Sequence, residues 1–173
     1  MNIKIITILF ASILALSCGS DLSDFTTNVE KSTKTLGGIN CLTEAAFSVE
    51  NVANDFIYDI EICNAKASAV VTKLNNYSKT ITHKTAKVID ADDNICNNAA
   101  YDDADASDIP STACTNKMNT LMGNLYTAVS DTIIYLATNP AIADSCSEIA
   151  ANTLKLNLPI LTEAVKMCGS TSF

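Results

Sequence analysis

Ile39 to Leu74 reads INCLTEAAFSVENVANDFIYDIEICNAKASAVVTKL, and its apolar residues Leu42, Ala45, Val49, Val52, Phe56, Ile60, Cys63, Ala67, Val70 and Leu74 fall three or four apart throughout. That is the period of one face of an α-helix. Asn40 can cap the first turn and Glu44 suits its positive end, so the stripe predicts a helix of about nine turns at 3.6 residues each. Neither Gly nor Pro occurs from Ile39 to Ile109, a run of 71 residues, which extends the helical reading.

The stripe weakens at Asn75-Asn76-Tyr77-Ser78, where a break or bend is expected. Beyond it Ile81, Val88 and Ile95 recur every seven residues with less apolar support, predicting a more exposed segment. Residues 97–111, with Asp102, Asp103, Asp105 and Asp108 ahead of Pro110, form the natural reversal. A return limb starts near Ser111 and carries Met118, Met122, Leu125, Val129, Ile133 and Leu136 at helical spacing. Asn139-Pro140 reads as an N-cap followed by Pro at the first helical position. Cys146, Ala150, Leu154, Leu158, Leu161, Val165 and Cys168 line a last face, bent or restarted at Pro159. Lys166 suits its final turn, and Gly169 reads as its C-terminal glycine.

Upstream, Asp21 can cap a short helix with Leu22, Phe25, Val29 and Leu36 on one face, ending at Gly37-Gly38. Lys4 precedes an apolar stretch from Ile5 to Leu16, followed by Ser17, Gly19 and Ser20, which reads as a secretory signal peptide too short to span a bilayer. Cleavage after Ser17 or after Gly19 fits the small-residue rule. The second removes Cys18 and leaves an even set of six cysteines. Ala15-Leu16-Ser17-Cys18 also makes a loose bacterial lipobox, so a lipid-anchored surface protein is the competing reading. The expected organisation is residues 1–19 signal peptide, 20–38 an N-terminal arm with a short helix, and 39–173 a single helical disulfide-rich domain.

No second stretch of eighteen apolar residues follows, so no transmembrane segment is expected in the mature chain. Ten lysines against nineteen acids after the signal give it a net charge of −9, which makes nucleic acid and anionic membranes poor partners. All eleven basic residues are lysine, and Trp is absent. The chain thus lacks the side chain best suited to bidentate phosphate or carboxylate recognition.

The six cysteines Cys41, Cys63, Cys96, Cys114, Cys146 and Cys168 are spaced 22, 33, 18, 32 and 22 apart, nearly the same list in either direction. Facing residues in antiparallel helices share a constant numerical total. Cys41 with Cys168, Cys63 with Cys146 and Cys96 with Cys114 total 209, 209 and 210. Residues 22 apart in one unbroken helix are about 33 Å apart, whereas a disulfide needs Cα atoms about 4.4 to 6.8 Å apart, so Cys41 cannot reach Cys63. A Cys146–Cys168 link is disfavoured less firmly, because Pro159 could turn the chain. The nested pairing fits every constraint, and local pairings near the bends stay open. The fold expected is all-α: a disulfide-linked antiparallel helical hairpin or a bundle of long helices.

Little else carries chemistry. His83, the single histidine, is flanked by Thr82 and Lys84 and reads as a surface residue, with no nucleophile motif to serve. The cysteine spacings are too long for a zinc site. Asp90, Asp92 and Asn94 begin a calcium-loop pattern that fails at Ile95, where Gly is needed, and at Tyr101, where Glu is needed. A solvated acidic loop reads better. Met118 and Met122 read as core rather than as a ligand surface. Asn76-Tyr77-Ser78 is a complete N-glycosylation acceptor.

The signal peptide, the helical filler and the six-cysteine run, closing in a helix at Lys166-Met167-Cys168, together resemble secreted insect proteins with a tsetse midgut EP-type domain. The resemblance spans residues 40–168 and implies an extracellular protein with no catalytic residues to carry over. Insect odorant-binding proteins do not fit, since Cys63 and Cys96 stand 33 apart where that family has a few residues. The expected function is therefore a secreted, non-enzymatic structural or interaction protein, without cofactor or metal, whose partner is a protein or a small apolar ligand. A carrier of an apolar ligand held between the helices is the alternative, beside the lipid-anchored bacterial protein.

Overall fold

The structure is a computed structural model that describes residues 21–63, 68–99, 101–102, 105–139 and 145–171. The signal peptide, its cleavage sites, the lipobox, Asp103 and Pro140 lie outside the described residues. Residues 21–32 form helix α1. It is followed by α2 (Leu36–Cys63), α3 (Ala69–Asn94), α4 (Thr112–Thr138), α5 (Ser145–Asn157) and α6 (Ile160–Ser170). No strand occurs among the described residues.

α2, α3 and α4 hold 28, 26 and 27 residues, each about 40 Å long at 1.5 Å per residue. α5 and α6 together span the same length and act as one bent limb: Leu158 N–H still bonds Leu154 C=O at 3.0 Å, while Pro159 interrupts the ladder and α6 restarts behind it. α2 packs against α3 on one side and against α5 and α6 on the other, and α3 packs against α4. The result is an up-down-up-down bundle.

The expected nine-turn helix through Leu74 is corrected here. α2 ends at Cys63, and α3 begins behind an N-cap at Ser68, whose hydroxyl accepts from Val71 N–H at 3.2 Å. Asn75 to Ser78 lie inside α3 rather than at a bend. Each limb of the expected hairpin is two antiparallel helices, α2 ending at Cys63 and α3 starting at Ala69 in the outgoing limb, α4 ending at Thr138 and α5 starting at Ser145 in the return limb. The helix ends obey nearly the same rule, Cys63 with Ser145 totalling 208 and Ala69 with Thr138 totalling 207, so both limbs fold at one level. The close approach of α2 and α3 rests on small side chains. Thr85 Oγ1 donates to the Ala46 carbonyl of α2 at 3.3 Å, and Thr82 Oγ1 bonds Asn54 Oδ1 at 3.1 Å. Ala53 and Ser78, seven residues from that first pair in each helix, are also buried.

α1 is a built-in part of the core. Phe25 and Val29 are buried, and the Phe25 ring stacks on Tyr126 of α4 with centroids 4.5 Å apart. Thr115 of α4 donates to the Thr33 carbonyl at 3.2 Å. α1 ends at residue 32, so Gly37 and Gly38 do not terminate it. They are buried in the first turn of α2, where Thr35, not Asn40, supplies the cap through a 3.1 Å bond from Gly38 N–H to its hydroxyl. The reversal loop completes this end: Leu36 N–H bonds Asp108 C=O at 2.9 Å and Gly37 N–H bonds Ala106 C=O at 3.0 Å. The first donors of α2, unpaired within the helix, are thus satisfied by the Thr35 cap and by the reversal loop.

Two further expectations are corrected. Asn139 is the C-cap of α4, its side-chain amide donating to Tyr135 C=O at 3.1 Å, rather than an N-cap. No described glycine has a positive φ, and α6 runs through Gly169 to Ser170. Gly169 serves close packing instead: a Cβ there would stand 2.7 Å from the Asn28 side chain of α1.

Candidate functional site

The cysteines come together in the nested pairs that the constant total predicts: Cys41–Cys168, Cys63–Cys146 and Cys96–Cys114, with Cα separations of 5.7, 5.7 and 4.8 Å. These lie within the range a disulfide spans without displacing backbone. Cys41–Cys168 ties the start of α2 to the end of α6, and Cys63–Cys146 ties the end of α2 to the start of α5. The central helix is therefore clamped at both ends to its neighbouring limb. Cys96–Cys114 fastens the α3–α4 turn. Cys114 and Cys168 are buried to within 1% of exposure. Bonded as they are, these sulfurs offer no thiolate for nucleophilic or metal chemistry.

Asp90, Asp92 and Asn94 lie on the last turns of α3, not in a loop. Successive second residues on a helix point 200° apart, so the three cannot converge on one ion. Asn94 donates to Asp90 at 2.8 Å, and Asp92 turns inward. Burial lifts the Asp92 carboxyl above its ordinary range. Hydrogen bonds from Asn98 and Thr43 pull it down, and the charge of Asp93 adds to the rise. Asn97 adopts a left-handed φ of 55°, which Asn tolerates better than most residues. That turn brings Asn98 back onto Asp92 through its side chain at 3.0 Å and its backbone N–H at 3.1 Å. The cluster locks the end of α3 against α2. Among the described residues no group of three His, Cys, Asp or Glu is placed to hold a metal ion.

His83 and Asn76 are exposed on α3, and Ser78, the third residue of the sequon, is buried. Met118 and Met122 are fully buried among Leu121, Leu125 and Val129, so they are core. Two cavities among the described residues are open surface grooves. One, about 400 Å³, lies where Thr33, Lys34, Ile109 and Pro110 meet. The other, about 530 Å³, runs between α1 and α6 and is edged by Asp21, Asp24, Lys31, Glu163 and Lys166. Mixed charges along its rim suit water better than an apolar ligand.

One surface feature escaped the sequence reading. Ile149 and Leu156 of α5 and Ile160 and Met167 of α6 are 67%, 79%, 43% and 62% exposed. Their steps of seven, four and seven place them on one outer face. The signal was present as a second periodic set, hidden behind the stronger buried set of Ala150, Leu154, Leu158, Leu161 and Val165. No helix is long and apolar enough to cross a membrane among the described residues. No family model, no curated protein and no solved structure matches this chain.

Proposed function

We propose that this is a secreted, non-enzymatic helical protein with a structural or interaction role, in keeping with the resemblance to tsetse midgut EP-type proteins. The observation that carries the reading is the use of all six cysteines outside the leader to clamp a filled helical core at both ends. Such crosslinks form and persist in oxidising, extracellular settings. Phe25, Phe56, Ile81, Met118, Met122 and Leu125 occupy the space that an apolar cargo would need, which favours this reading over a carrier. The exposed Asn76 amide supports a glycan there. Since Ser78 is buried in the finished helix, that transfer belongs to the unfolded chain.

Expression in a eukaryotic secretory host, followed by non-reducing peptide mapping of the medium, tests the proposal. The expected product begins at Ser20, carries the three nested disulfides and turns over none of a panel of hydrolase and transferase substrates. Retention in the cell with free thiols, a diacylated Cys18 in a bacterial host, or reproducible turnover by pure protein would each refute it.

A further inference from the structure

From the outer face of α5 and α6 we infer that this chain pairs with a second copy of itself, α5–α6 lying antiparallel against α5–α6 about a twofold axis. The inference goes beyond the proposed function and does not depend on it, since a monomer would leave the secreted, non-enzymatic reading standing.

Scattered exposed apolar residues are ordinary. Here, four large ones stand in line over 18 residues, about 27 Å of helix. Pro159 does not break their register, because the buried set Leu154, Leu158, Leu161 and Val165 continues in steps of four, three and four across the bend. The exposed set is also symmetric in sequence. Ile149 with Met167 and Leu156 with Ile160 both total 316. Laid antiparallel on its own copy, the stripe therefore sets each apolar residue against another apolar residue, Ile149 on Met167 and Leu156 on Ile160, in both halves of the contact.

The charges beside the stripe obey the same rule. Glu148, Lys155, Glu163 and Lys166 are all exposed on one flank, and a twofold axis brings that flank against itself. Glu148 then lies across from Lys166, and Glu163 across from Lys155, with totals of 314 and 318 on either side of 316. Two acids and two lysines make the flank neutral on a strongly acidic chain. Across the axis their signs meet as opposites. An anionic membrane would instead meet Glu148 and Glu163 beside the apolar row, which favours the second copy as occupant.

A face about 27 Å long and 10–12 Å wide has a footprint near 300 Å², below that of a stable complex. The dimer is accordingly a weak one, populated at high concentration. Sedimentation equilibrium of the oxidised protein, from low micromolar to near-millimolar, should show a monomer–dimer equilibrium with nothing larger. Leu156→Lys places a charge against Ile160 at a 79% exposed site, so it should abolish the dimer while circular dichroism and melting stay unchanged. Lys155→Glu and Glu163→Lys, each alone, should weaken association several-fold, and the two together should restore it. Only antiparallel self-pairing predicts that rescue. A monomer at every concentration, a dimer indifferent to Leu156→Lys, open-ended assembly, or flotation with phosphatidylglycerol vesicles in place of self-association each overturns the inference.

Discussion

Gly38 and Gly123 show how position decides what one residue type does. A Cβ on Gly38 would collide with the backbone carbonyl of Ser32, where α1 ends against the first turn of α2. Backbone cannot rotate away as a side-chain tip can, so Gly38→Ala should cost about 1–3 kcal/mol through overpacking. Gly123 lies within α4 with nothing inside 4 Å of an added Cβ. Gly123→Ala should therefore stabilise by about 0.5–1 kcal/mol, the difference between the two residues inside a helix. Urea unfolding of both variants checks the opposed signs. Asp92 gives a third test at this scale. Its carboxyl titrates above the ordinary value of 3.8 in the folded protein, so the folded state holds the proton more tightly than the unfolded one. Its contribution to stability is complete below the unfolded value and is lost as pH rises through the folded value. Asp92→Asn keeps an acceptor for Asn98 and removes the buried charge. It should raise the melting temperature at neutral pH, and the difference from the parent should close as pH falls below the ordinary value. A difference constant with pH would show that charge is not the cause.

Helix starts and stops were unevenly legible. Ser111 announced α4, and its hydroxyl accepts from Cys114 N–H at 3.1 Å as an N-cap should. Ser68 does the same for α3 and was hidden, because Cys63, Ala67, Val70 and Leu74 stay in helical phase across the interruption. The Asn75–Ser78 stretch looked like a break because its residues are polar, yet Tyr77 packs on Tyr135 of α4 with ring centroids 5.4 Å apart and Lys73 lies 5.0 Å over the Tyr77 ring. Neighbouring helices thus supply what the local sequence lacks. Ser68→Ala and Ser111→Ala should each cost about 1 kcal/mol. The two should add, since the caps lie at opposite ends of the bundle. A Ser68→Ala variant unchanged in guanidinium unfolding would mean that the α2–α3 turn is held by packing alone.

Across the whole molecule the disulfides close loops of 127, 83 and 18 residues, which the chain-entropy relation converts to about 5, 4.5 and 3 kcal/mol taken singly. Because the pairs are nested, each shortens the loop that the next one closes, and the sum overstates the total. Replacing Cys63 and Cys146 by Ala should cost more than replacing Cys96 and Cys114, up to about 4.5 against about 3 kcal/mol. It should also release the far end of the bundle first, read as hydrogen exchange rising at the end of α2 and the start of α5. Equal losses from the two double variants would argue against loop entropy as the cause. The sequence by itself determined that the chain is helical and that a Cys41–Cys63 link is out of reach; it offered the constant total as a pairing that fits and marked Pro159 as a bend or restart, and the tertiary structure chose among these. Periodicity and helix rise are local properties of one chain segment, so they carry the helices and exclude pairings along one helix. Only the tertiary structure decided that the long hairpin folds in half, that α1 belongs to the core, and that Gly38 and Gly169 are there to let backbones meet. It alone left the Ile149–Met167 face uncovered. Each of these depends on which surfaces bury one another, and a helical stripe specifies that a face is apolar without specifying its partner.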